Sequence, residues 1–134
     1  MSSTNPHGLH TVTPYLVLRD VTSVIEFATS VLGATIRGEI HRREDGSVKH
    51  TELAIGDSVV MLGEPMPGFE VMPGMLYVYV DDCDVCYARA LAGGAAPVME
   101  PAVYPHGDRY GGVKDPAGNI WWLATHVGLT EGSA

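Results

Sequence analysis

Between Asp108 and His126 the chain reads Asp-Arg-Tyr-Gly-Gly-Val-Lys-Asp-Pro-Ala-Gly-Asn-Ile-Trp-Trp-Leu-Ala-Thr-His, a stretch with few ways to fold. Asp115-Pro116-Ala117-Gly118-Asn119 is turn chemistry: an Asp side chain bonds back to the backbone, Pro presets φ, and Gly supplies a positive φ. Arg109 to Lys114 before it and Ile120 to Thr125 after it, the latter rich in β-branched and aromatic residues, predict a hairpin. Alternation sends Ile120, Trp122 and Ala124 to one face and Trp121, Leu123 and Thr125 to the other. Both faces are apolar, so cover is expected on both sides. Two readings of the tryptophans stay open: both are core, or one is a wall against a ligand.

The rest of the chain must supply that cover. Its 134 residues suit one domain, or two small modules sharing a core, and 46% apolar with 18% charged residues is ordinary for a globular protein. No apolar run reaches the ~18 residues of a membrane span and no signal-peptide pattern opens the sequence, so a cytoplasmic setting is expected. Sixteen acidic against eight basic residues give a net charge of −8. Nucleic-acid binders need clustered Lys and Arg, so this balance argues against that class and favours a neutral or cationic ligand. Cys83 and Cys86 form a Cys-Asp-Val-Cys spacing at an expected helix start. A redox pair is one reading; the other places both thiols with Ala90 on an apolar helix face, as small hydrophobes. A zinc site would need ligands that no second cysteine pair supplies.

In order, residues 1–10 read as a flexible lead-in and Thr11 to Leu18 as a strand. Asp20 caps a helix from Val21 to Leu32, with Val21, Val24, Ile25, Ala28 and Val31 at helical period, closed by Gly33. Strands follow at Ala34 to His41, Val48 to Ile55 and Ser58 to Leu62. Residues 64–74, rich in Pro and Gly, read as a linker or a lid-like loop. The order then repeats: a strand at Met75 to Val80, caps at Asp81 and Asp82, a helix from Cys83 to Leu91 or Ala92, a strand or extended segment from Ala96 to Pro101, and the hairpin. Each first strand is followed by an acidic cap, and each helix ends at Leu-Gly-Ala or Gly-Gly-Ala. Two units of the same order, about sixty residues apart, are an internal duplication. The expected modules are 11–63 and 75–127, with a frayed tail over 128–134.

These residues resemble the vicinal oxygen chelate superfamily, also called glyoxalase/bleomycin-resistance/dioxygenase, and within it the branch named for a phosphonate-operon protein. The carriers are Thr13-Pro14-Tyr15-Leu16-Val17, His50-Thr51-Glu52-Leu53, Gly56-Asp57-Ser58 and the stretch from Asp108 to Trp122. The resemblance implies an α+β fold of two βαβββ modules whose mixed sheet curls around a cavity, commonly in a homodimer. Enzymes of the superfamily hold a divalent metal at inward positions of the first and fourth strands of each module. Those positions fall here on Thr13, Met61, Met75 and Trp122. None is a carboxylate or imidazole, which a hard or borderline cation wants, and sliding the register by one residue restores nothing. No metal and no cofactor are expected.

On that fold, Thr13, Tyr15, Val17, Met61, Met75, Tyr77, Tyr79 and Trp122 point inward, either as a pocket or as barrel filling. The expected ligand-binding set is Tyr15, Met61, Met75, Tyr77, Tyr79 and Trp122, with Arg109 as a clamp for an anionic group or as a member of an ion pair. His50 and Glu52, two apart on one strand, are the candidates for catalysis, with His41 beside them. The expected function is metal-independent binding of a small, partly apolar aromatic or cationic compound, such as an antibiotic. A lyase, isomerase or dioxygenase is the alternative.

Overall fold

The computed structural model describes residues 6–128; the expectations for residues 1–5 and 129–134 lie outside them. Ten main elements follow in order: β1 (Tyr15–Val17), α1 (Val21–Leu32), β2 (Thr35–Arg42), β3 (Val48–Ile55), β4 (Ser58–Gly63), β5 (Met75–Tyr79), α2 (Cys83–Ala92), β6 (Ala96–Val103), β7 (Asp108–Lys114) and β8 (Ile120–His126). Two four-stranded sheets result, with strand orders β1-β4-β3-β2 and β5-β8-β7-β6. In each, the first strand runs parallel to the fourth and the other pairs are antiparallel. The repeated element order is thus a repeated topology, the α+β fold of two βαβββ units.

Local chemistry sets the boundaries. Asp20 accepts from the Ser23 amide at 3.1 Å and opens α1, and Gly33, in the left-handed region at φ 67°, closes it. Asp82 opens α2 by accepting from Asp84 and Val85. The strand expected from Thr11 is paired only over Tyr15–Val17. Pro14 has no amide to give the ladder, though its carbonyl accepts from Met61 at 2.9 Å. At the other end of the chain β6 extends past Pro101 to Val103. It is an edge strand with shifted register on either side of Met99, and there Pro97 and Pro101 are tolerated.

One core serves both units. Val21, Val24, Phe27, Ala28 and Val31 of α1 are buried with Leu16, Leu53 and Leu62 of the first sheet and with Val113, Trp121 and Leu123 of the second. Ile25, expected on that stripe, is only partly buried, and Phe27 takes the inward place, 5.6 Å from the Trp121 ring. Cys83 and Cys86 are buried free thiols on the inner face of α2. Burial pushes the Cys86 thiol up, and Sγ donates to the Val31 carbonyl at 3.6 Å, so it ties the two helices together. That is the opposite of an activated redox thiol. No helix among the described residues is long and apolar enough to cross a membrane.

Candidate functional site

The turn of the β7–β8 hairpin sorts its two tryptophans. Asp115 Oδ1 accepts from the amides of Ala117 at 2.9 Å and Asn119 at 3.0 Å. Its Oδ2 accepts from Asn119 Nδ2 at 2.9 Å and from Trp121 Nε1 at 2.8 Å. Asn119 in turn accepts from the Gly74 amide, so it fastens β5 to the turn. Trp121 is thereby drawn into the helix side of the sheet, 1% exposed with its one donor satisfied. Alternation then sends Trp122 to the other face. There it lies over Gly112, its partner in the ladder: a Cβ on Gly112 would come within 2.4 Å of the indole ring.

The helix-free face of the second sheet is aromatic. Tyr77 and Tyr79 of β5 meet edge to face with centroids 5.5 Å apart. Tyr77 also meets Tyr110 at 5.5 Å, and Tyr110 meets Trp122 at 5.8 Å and 86°. Tyr104 stacks on Tyr110 at 4.4 Å. The cover expected on both sides of β8 is therefore helix on one side and these rings on the other, and Ala124 beside them is fully buried. Among the described residues the outermost side chains stay open: Tyr77 is 43% exposed, Tyr79 64% and Met75 65%.

Asp108 fixes this face. It is 1% exposed, shielded by its own donors. Oδ2 accepts from the Tyr77 hydroxyl at 2.6 Å and the Tyr79 hydroxyl at 2.8 Å, with His106 Nε2 at 3.3 Å; Oδ1 lies 2.9 Å from His126 Nδ1. The Tyr77 hydrogen bond, then those of His126 and Tyr79, hold the carboxyl well below the usual carboxylate range. The phenols respond in the opposite sense. Tyr77 is pushed far up by burial and by the hydrogen bond to Asp108, and Tyr79 is raised chiefly by that hydrogen bond. Both therefore stay neutral donors.

The same row in the first sheet is polar. Ladder partners run Tyr15, Met61, Glu52, Arg37 across β1, β4, β3 and β2, where the second sheet has Tyr77, Trp122, Gly112, Met99. Tyr15 Oη is 3.2 Å from His50 Nδ1, and it also lies 3.4 Å from the Lys49 carbonyl. His50 Nε2 is 3.2 Å from Glu52 Oε2, and Arg37 Nη1 donates to Glu52 Oε1 at 2.8 Å. A proton on Nε2 satisfies both imidazole contacts, and Nδ1 then accepts from Tyr15. His41 is the ladder partner of His50. The two residues line an open hollow of about 330 Å³ with His7, Arg37, Glu39 and Glu52.

The residues singled out from sequence fall into separate places. Met75, Tyr77, Tyr79 and Trp122 share the aromatic face, and Tyr15, Met61, His50 and Glu52 share the polar one. Among the described residues, the hydrogen bonds and ring contacts of Tyr15 and of Tyr77 stay within their own units. A cleft of about 880 Å³ along the free edge of β5 brings Thr13 beside Tyr77 and Tyr79, together with Val12, Leu76 and Val80. Arg109 joins neither face. It points to the helix side and clamps Asp84 of α2 at 2.8 and 2.9 Å, which raises the guanidinium pKa and lowers that of Asp84. It takes the ion-pair role.

Thr13, Met61, Met75 and Trp122 offer a hydroxyl, two thioethers and an indole, a donor set that does not fit a divalent cation. Among the described residues no group of three or more His, Cys, Asp or Glu is arranged to hold a metal ion. Sequence reasoning missed Asp108 as an organiser, together with Tyr104, Tyr110, His106 and His126. Part of the signal was present. Counting outward from the turn puts Asp108 opposite His126, and Tyr110 shares the face of Gly112.

Residues 8–123 match the family described as Glyoxalase/Bleomycin resistance protein/Dioxygenase superfamily. A relative from Mycobacterium bovis is 33% identical over 127 residues, which is 87% of this chain and 83% of that protein. TioX from Micromonospora sp. ML1 superposes with a TM-score of 0.68 at 23% identity, over 87% of this chain and 95% of its own. A PhnB protein from Bacillus cereus does so at 0.65 and 20%, over 87% and 99%. At these identities the structural likeness speaks to the fold alone.

Proposed function

The chain belongs to the glyoxalase/bleomycin-resistance/dioxygenase superfamily, and on that footing we propose that it is a metal-independent binding protein in the cytoplasm. Its ligand would be a small, partly apolar aromatic or cationic compound, such as an antibiotic, which it sequesters. The observation that carries this reading is the open aromatic face around Tyr77, Tyr79 and Trp122, whose tyrosines are pinned in place by Asp108. Rings already fixed lose little freedom when a ligand arrives, and each aromatic pair contributes about 0.5–1.5 kcal/mol beyond area burial. The four superfamily metal positions lack suitable donors, which supports binding without metal.

Indole fluorescence tests it. A flat aromatic probe such as 1-naphthol should quench Trp122, with the same affinity before and after treatment with a chelator. Trp122→Ala should remove the quenching and weaken binding measured by calorimetry. Equal binding to Trp122→Ala, or binding that needs added divalent metal, overturns the proposal.

The alternative is a lyase or isomerase working by proton transfer, and one observation favours it: the continuous contact from Tyr15 through His50 and Glu52 to Arg37. Glu52 orients the imidazole and Nδ1 is left to take the Tyr15 proton. In this reading a substrate would be turned over by wild type and not by His50→Gln. A dioxygenase would need a metal that these positions do not fit.

A further inference from the structure

We propose that the ligand of the aromatic face carries a fully alkylated ammonium group, seated among Tyr77, Tyr79 and Tyr110 with its apolar body against Trp122. This rests on the binding reading above and narrows it to one ligand chemistry.

Ring orientation is the first observation. Tyr77 stands at 70° to Tyr79 and 64° to Tyr110, and Tyr110 at 86° to Trp122. Rings set this way form a corner, not a slab. A rounded head group meets several π faces in a corner, whereas a flat ring meets one. The π faces attract cations through the ring quadrupole.

The second observation is where the phenol protons go. Tyr77 and Tyr79 both donate to Asp108 Oδ2, at 2.6 and 2.8 Å. A hydroxyl that donates to a carboxylate pushes electron density into its ring, so the π face above it becomes a better seat for positive charge.

The third is what the face withholds. Asp108 is the acid in contact with these rings, and its oxygens are taken by Tyr77, Tyr79, His106 and His126. A primary ammonium brings three N–H donors and finds this carboxylate already occupied. A quaternary ammonium brings none and needs no acceptor. The strands of this second sheet carry two Lys or Arg residues. Arg109 is turned away onto Asp84, and Lys114 sits at the turn end of β7 opposite Ile120. The −8 net charge raises the local concentration of any cation.

Three probes of one skeleton test this: N,N,N-trimethyltyramine, tyramine, and 4-(3,3-dimethylbutyl)phenol, in which carbon replaces the quaternary nitrogen. At low ionic strength the quaternary compound should bind roughly 3- to 30-fold tighter than the neutral isostere and tighter than tyramine, with the advantage shrinking as salt is added. Tyr79→Leu should lower the affinity of the quaternary compound by more than it lowers that of the isostere or of 1-naphthol, so that the preference for the ammonium is lost. If the isostere or tyramine binds as tightly as the quaternary compound, or Tyr79→Leu changes nothing, the ammonium assignment is overturned and the aromatic site stands. If 1-naphthol also fails to bind, the reading beneath it falls too.

Discussion

Trp122 and Gly112 are ladder partners in contact, the indole lying where a Cβ on Gly112 would sit 2.4 Å from its ring. Backbone does not yield at that distance, so a side chain here must displace the indole. Gly112→Ala should cost about 1–3 kcal/mol by overpacking. It should also shift the Trp122 emission and weaken 1-naphthol binding. Urea unfolding and the emission spectrum check both, and unchanged emission counts against the described packing.

The neighbouring indole should behave differently. Trp121 is core, with its N–H on Asp115. Trp121→Ala should therefore cost about 3–5 kcal/mol and leave Asp115 short of one donor. If the variant folds, ligand quenching of Trp122 should survive. A thermal melt shifted no more than that of Trp122→Ala would contradict the assignment.

Acid should act through Asp108. Its folded pKa is depressed, so its contribution to stability is present above the unfolded value, about 4, and is lost as the pH falls toward the folded one. Wild type should thus exceed Asp108→Asn in urea midpoint at pH 7, and the gap should close as acidification proceeds below pH of about 4. A gap that stays constant into strong acid would show that the carboxylate charge is not what matters. At the alkaline end the sign reverses. Tyr77 and Tyr79 are raised, so their stabilising neutral form persists above the ordinary phenol range. In an ultraviolet titration these two should ionise above the ordinary phenol range.

We also expect a homodimer. β1 and β5 are edge strands, and Met66, Phe69 and Met72 in the loop between the two units are exposed. Light scattering at micromolar concentration should give twice the mass of the chain. A monomer mass would refute it.

Much of this was legible because it is local. Both helices begin and end where Asp20, Gly33 and Asp82 dictate, and the Asp115–Asn119 turn fixed the faces of Trp121 and Trp122. Strand alternation constrains other residues too. Arg109 lies between Asp108 and Tyr110, so it had to face the helices if they faced the helix-free side. His50 and Glu52 share a face because they are two apart on one strand. What the residues did not disclose was long-range. The split of the expected lining into a Tyr15 cluster and a Tyr77 cluster depends on how two sheets dock. The capture of Asp108 by four side chains depends on β5 lying beside β8, a parallel pairing that no turn announces.

The matched rows across the two sheets have a further consequence. Tyr15, Met61, Glu52 and Arg37 occupy the register points that Tyr77, Trp122, Gly112 and Met99 occupy in the other unit, and both rows lie on faces the common core does not use. The same βαβββ scaffold thus carries a charged, hydrogen-bonding row in one unit and an aromatic row in the other, while one buried interior serves both. Substitutions of the outermost side chains on either face can therefore alter its surface chemistry without touching the shared core.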